Sequence, residues 1–163
     1  MGIFSRIFGI KGKPDLENIG DASHRRVYRI VDGSEARKLI MSESGEKAKI
    51  RLKGRVLKVA KDEEGAVRNM REYKTFMELR DSELGRDLNP AFYCTKDGEF
   101  LVSRFVDTDV SVGKEVSDFF SRVKRDALEM GIDPKRVDVG VHNVGFDKKR
   151  KKYVIYDYPW MDK

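Results

Sequence analysis

Asp138 and Asn143 stand five residues apart in VDVGVHNVGF, and Asp157 follows in YVIYDYPW beyond a short hairpin. Two carboxylates and an amide at one end of a strand pair offer hard oxygen ligands for Mg²⁺ and an acceptor that directs a hydroxyl at a phosphate. Phosphoryl transfer asks a protein for positioning and charge neutralisation more than for covalent steps. It also needs a cation on the phosphates and a carboxylate that holds this cation in place. Lys58 in RVLKVAK and Glu72 in VRNMREYKTF fit those two roles. Lys58 lies in a β run, where alternation fixes the face its ammonium leaves. Glu72 lies in the helix that follows, so a helix packed on the sheet brings it to Lys58. Each residue alone is commonplace, and it is the order of all five on suitable elements that informs.

These positions must be held by elements the pattern can identify. From Val27 to Ala60 the reading is β, with RVYRIVD, ARKLIM and KIRLKGRVLKVA as strands and Asp32-Gly33 and SESGEK as turns. DEEGAVRNMREYKTFMELRD reads as a helix, with Val67, Met70, Tyr73, Phe76 or Met77, and Leu79 at helical spacing. Two strands, AFYCTK and EFLVSRFV, are joined by Asp97-Gly98, a strong hairpin signal. A second helix in VGKEVSDFFSRVKRDALEMG carries Val116, Phe119, Phe120, Val123, Ala127 and Met130 on one face, and Gly131 and Pro134 end it. Strand VGF, turn DKKRKK and strand YVIYDY complete the chain. The expected class is α+β, one domain over residues 14–163 behind an arm at residues 1–13.

That arm, MGIFSRIFGIKGK, spaces Ile3, Phe4, Ile7, Phe8 and Ile10 as a short amphipathic helix would. It reads first as a terminal segment folded back on its own domain, and second as a contact for a membrane surface or a partner. Lys148–Lys152 is read as a solvated hairpin tip before a nucleic-acid or lipid contact. His142 is read as a loop histidine with a structural hydrogen bond, and Trp160 with Tyr153, Tyr156 and Tyr158 as core closure around the chain's end.

With 163 residues, 39% apolar and 38% charged, the chain has an ordinary core and a densely charged surface. A net charge of +6 favours acidic partners, but 28 carboxylates are interspersed among 34 Lys and Arg. Cys94 is alone, which excludes an intrachain disulfide and a multi-cysteine metal site. Neither a secretory signal nor an apolar run of about eighteen residues is present, so a cytoplasmic location is expected. The absence of Gln and the presence of only four Asn match heat-adapted composition. A melting temperature above the roughly 45–65 °C of ordinary domains would bear out that hypothesis, and one within it would not.

The motifs resemble those of the protein-kinase-like superfamily, in a very short member, over roughly residues 19–160. VLKVAK is similar to the third-strand motif, with Lys58 at the phosphate-pairing lysine, and Glu72 in NMREY matches the glutamate of the next helix. EFLVSRFVD resembles the strand leading into the hinge. VDVGVHN resembles the catalytic loop, with Asp138 at the catalytic base and Asn143 at the metal-binding asparagine. YVIYDYP resembles the strand and metal-binding aspartate of the DFG segment, with Asp157 in that role. HNVGF and VIYDY are especially similar to small kinase-like proteins of phages and other mobile elements. IGDASHRRVYRI resembles the glycine-rich loop but keeps only Gly20, and Arg136-Val137 precede Asp138 where the family has His-Arg.

The resemblance implies a kinase-like fold: an antiparallel N-lobe sheet with one helix over residues 14–108, then a truncated C-lobe with one main helix and a catalytic-loop hairpin over residues 109–163. It implies ATP or GTP with Mg²⁺ as cofactor, bound by Lys58, Gly20, Asn143 and Asp157. With only four residues after Pro159, it also implies that the activation segment and peptide-docking helices are missing. Three readings follow: an ATP-dependent phosphotransferase, a non-catalytic kinase-like module that binds a nucleotide or a host or viral protein, and a basic nucleic-acid-binding protein.

Overall fold

A computed structural model describes residues 15–133 and 140–158. The N-terminal arm, Asp138 and Trp160 lie outside the described residues. Among the described residues the fold is α+β, with a five-stranded antiparallel sheet, a separate hairpin and four α-helices. The described residues divide into two compact units, one of those up to Tyr73 with Ala91–Phe105, the other of Lys74–Pro90 with those from Val106 onward. Among the described residues no helix is long and apolar enough to cross a membrane.

The first unit holds strands β1 (Leu16–Asp21), β2 (Arg25–Ile30), β3 (Arg55–Ala60), β4 (Ala91–Cys94) and β5 (Phe100–Arg104), in the sheet order β1-β2-β3-β5-β4. Directly opposed residues share a face of a sheet, and the register therefore sorts the side chains. Tyr28, Leu57 and Val102 oppose one another across β2, β3 and β5, and with Ile30, Val59 and Phe100 they enter one apolar core. Val27, Lys58 and Leu101 form the next row and leave on the other face.

Helix α1 (Gly33–Ser44) supplies Ala36, Leu39 and Ile40 to that core. This corrects two expectations, that ARKLIM is a strand and that the sheet unit carries a single helix. The apolar positions recur at i, i+3 and i+4, which is the helical period. Asp32 caps the helix by accepting from the Ser34 amide at 3.3 Å, and Gly45 ends it at φ 71°. Both had the chemistry of turns because caps and turns select the same residues. The segment after α1 is corrected as well: Lys49–Gly54 joins no strand. Its carbonyls go to an arginine instead, with Arg37 donating to Ala48 O and, at 2.9 Å, to Ile50 O.

Helix α2 (Glu63–Leu79) begins in the first unit and ends in the second. Its start is fixed to the β1–β2 turn. Asp62 accepts from the Gly65 amide at 2.8 Å and pairs with His24 at 2.9 Å, while Lys61 N donates to His24 O at 2.9 Å. Hydrogen bonding from Gly65 and His24 holds the Asp62 carboxyl below the ordinary range. The hairpin between β4 and β5 turns at Gly98, with φ 75°, as Asp97-Gly98 predicts.

The second unit packs α3 (Glu83–Asp87), α4 (Lys114–Glu129) and the hairpin β6 (Val144–Asp147) and β7 (Lys152–Ile155) around Leu79, Leu84, Leu88, Val116, Phe119, Val123, Val144, Ile155 and Tyr158. The hairpin's basic tip is largely neutralised. Lys148 pairs with Asp107 at 2.9 Å, Arg150 with Asp147 at 2.5 Å, and Lys152 with Asp87 at 3.2 Å.

A Cβ on Gly65 would come 2.1 Å from His24 O. Alanine would gain about 1 kcal/mol of helix propensity, but the overlap with backbone outweighs it. Gly65→Ala is therefore expected to lower stability by about 1–3 kcal/mol in chemical denaturation. Unchanged or raised stability would contradict the close approach of turn and helix.

Candidate functional site

Lys58 sits mid-strand in β3, 5% exposed, and Glu72 sits on α2, fully buried. The Lys58 Nζ reaches both Glu72 oxygens, at 2.7 and 2.8 Å. A third group completes the arrangement. Arg25, at the start of β2, donates through Nη1 to Glu72 Oε2 at 2.9 Å and to Asn69 Oδ1 at 3.4 Å. Asn69 in turn donates to Gly98 O at 2.8 Å, which ties this network to the β4–β5 hairpin.

Position along the elements explains the convergence. Arg25 and Lys58 share a face because Arg25 opposes Ala60 and Val27 opposes Lys58. Asn69 and Glu72 stand three apart on α2, one above the other on the same side. Burial acts to raise the Glu72 carboxyl, but the charges and hydrogen bonds of Lys58 and Arg25 override it and hold the group below the usual range. Burial, reinforced by the Arg25 charge, pushes the Lys58 ammonium down to about 8 against the pull of Glu72. The site is thus an ionised carboxylate gripped by two cations, one of them a lysine ammonium lowered by burial.

Arg25 and Asn69 were not singled out from the sequence. The stripe expected for α2, Val67, Met70 and Tyr73, is not its buried face: Met70 is exposed, and Ala66, Asn69, Glu72 and Thr75 are buried. Gly20, read as part of a phosphate loop, lies in β1 beside a bulge, and its amide donates to Asn18 Oδ1 at 3.0 Å. A Cβ there would meet Val27 at an ordinary 3.6 Å, so the fold itself does not require glycine. Cys94 offers no nucleophile, since burial and nearby carboxylates push its thiol up to about 12.

In the second unit, Asn143 ends a short 3₁₀ turn, Val141–Asn143, and is 8% exposed. Its amide donates to Gly140 O at 2.9 Å, and its carbonyl accepts from Tyr156 N at 2.8 Å. The pairing Val144 with Ile155 continues outward to this contact, so Asn143 and Asp157 stand at the open mouth of the hairpin, away from its basic tip. Asp157 has φ 61°, a left-handed conformation uncommon outside glycine. Tyr156 and Tyr158 hold the flanks, donating to His142 O and Asn89 O, each at 2.5 Å. Strained backbone fixed on both sides is characteristic of residues held for a task.

The oxygen donors of Asn143 and Asp157 suit Mg²⁺, which commonly takes one or two protein ligands and completes its shell with phosphate and water. Among the described residues no three His, Cys, Asp or Glu side chains group as a self-sufficient metal site. Comparison with protein-family models and with curated proteins finds no match to this chain.

Glu72→Ala removes the carboxylate that Lys58 and Arg25 share while leaving both cations in the interior. Such a loss is expected to cost about 3–5 kcal/mol in denaturant titration. A cost below about 1 kcal/mol, the level of an exposed pair, would contradict the description of the site.

Proposed function

We propose that the chain is a kinase-like nucleotide-binding protein that transfers phosphate from Mg-ATP or Mg-GTP. The observation that carries this reading is the buried pair of Lys58 and Glu72, a strand lysine gripped at 2.7 and 2.8 Å by a glutamate of the next helix. Stability alone is a poor reason for such a pair. A well-packed apolar replacement is often as stable or more so, whereas a phosphate-binding lysine must be aimed. In this reading Lys58 contacts the nucleotide phosphates and Glu72 orients it. Asn143 and Asp157 hold Mg²⁺, which offsets the phosphate charge. Asp138 accepts the proton of the acceptor hydroxyl.

A non-catalytic nucleotide-binding module is the second reading, and two observations favour it. Glu72 divides its carboxylate between Lys58 and Arg25, and Gly20 is the single glycine in the β1–β2 region, where backbone amides would approach phosphate.

Thermal unfolding with and without Mg-ATP tests both. Mg-ATP at 100 times its dissociation constant should add roughly 2.7 kcal/mol, and Lys58→Met or Asp157→Asn should abolish the gain. No stabilisation of the natural chain at millimolar Mg-ATP would sink the proposal. Stabilisation without phosphate release or autophosphorylation would favour the second reading.

Lys58 adds a dependence on pH. Its folded value of about 8 means that the ammonium persists below that pH and loses its proton above it. Mg-ATP affinity should hold steady up to about pH 8 and then fall by as much as tenfold per pH unit. A flat profile between pH 7 and 10 would remove Lys58 from the phosphate contact.

A further inference from the structure

The nine residues from Lys47 to Arg55 hold five basic side chains, Lys47, Lys49, Arg51, Lys53 and Arg55, and no acid. The alternation is structural as well as compositional. Ala48 and Leu52 are buried and Ile50 is half-buried, while Lys47, Lys49, Arg51 and Lys53 are exposed. Arg37 gathers the carbonyls of Ala48 and Ile50, two residues apart, and the chain bends at Ile50. The chain then turns at Gly54, φ 76°, into β3.

Among the described residues, none of the five basic groups is in an ion pair. This contrasts with the hairpin tip, where Lys148, Arg150 and Lys152 each meet a carboxylate. Glu46, next to the strip, is already engaged by Tyr93 Oη at 3.0 Å and the Lys96 amide at 2.7 Å. Asp32 lies near enough to Lys53 to be lowered by its charge, after its own hydrogen bonds to Ser34, and it is committed to capping α1.

At the end of the strip the positive charge is concentrated. Arg55 and Arg104 oppose each other directly on β3 and β5, a like-charge pairing that ordinarily destabilises a sheet. Both lie over the ring of Phe92, at 3.7 and 5.7 Å from its centre. Arg55 Nη1 is buried and has no hydrogen-bond partner. Protection of a sheet edge does not explain the strip, because the edges are β1 and β4.

We propose that the Lys47–Arg55 strip binds the backbone of single-stranded nucleic acid. Lys47, Lys49, Arg51 and Lys53 are exposed within seven residues while the apolar residues between them turn inward, so the strip offers a run of unpaired cations to a chain with one charge per nucleotide. Arginine beside an aromatic ring also offers a surface on which a base stacks. A membrane surface fits less well. It would demand outward apolar side chains between the cations, and here those side chains point inward. The proposal is independent of the phosphotransfer reading.

Titration of a labelled single-stranded oligonucleotide across a salt series, by fluorescence anisotropy, tests it. The logarithm of affinity should fall linearly with the logarithm of salt, by about 0.7 for each phosphate neutralised. Lys49→Ser with Arg51→Ser, both exposed and outside the core, should weaken binding by an order of magnitude and flatten the slope by roughly 1.4. Lys148→Ser with Lys149→Ser should leave both unchanged. Absent or salt-insensitive binding overturns the proposal, as does equal weakening by both pairs of substitutions. Strip-dependent capture by phosphatidylserine vesicles or polyglutamate at equal or greater affinity also overturns it.

Discussion

One carboxylate organises the first unit. Glu72 is fully buried and accepts from Lys58 on β3 and from Arg25 on β2, so helix α2 is held against two neighbouring strands by a single charged group. The neighbouring contacts reinforce the same placement. Asn69 bridges Arg25 to the carbonyl of Gly98, and Asp62 with His24 locks the helix start to the β1–β2 turn. An interior ion pair of this kind contributes little net stability compared with apolar packing, yet is costly to break from one side. The consequence is a helix with one permitted seat, and a lysine whose direction is set by it.

The second unit reaches a comparable result through the backbone. The β6–β7 register carries Asn143 and Asp157 to the same end of a hairpin, and the turn at the other end is neutralised by Asp87, Asp107 and Asp147. The tyrosines on either side of Asp157 donate to the carbonyls of His142 and Asn89, and Asp157 between them has a positive φ. Oxygen donors are thereby held by main-chain geometry, and this suits a cation that tolerates little deviation from its preferred shell.

Much of this was legible in the sequence where periodicity was strong. Helix α2, helix α4, the Asp97-Gly98 hairpin and the closing hairpin follow from spacing and turn chemistry, and so does the meeting of Lys58 with Glu72. Helix α1 was not read, because LIM in ARKLIM weighs toward strand while Ala36, Leu39 and Ile40 carry the helical period. Arg25 and Asn69 were missed for a different reason: a buried polar residue announces itself only once the face it occupies is known. The run after α1 looked like a strand, since its alternation of apolar and basic residues is the same whether the carbonyls pair with a strand or with Arg37.

A buried lysine that faces nucleotide phosphates can be revealed with a chemical probe. An acyl-phosphate derivative of ATP transfers its acyl group to a lysine lying against the phosphates. Lys58, with its ammonium pushed down to about 8, is a suitable nucleophile near neutral pH. Peptide mapping by mass spectrometry should find the acyl group on Lys58, and excess Mg-ATP should suppress it. Labelling confined to surface lysines and indifferent to Mg-ATP would contradict the account.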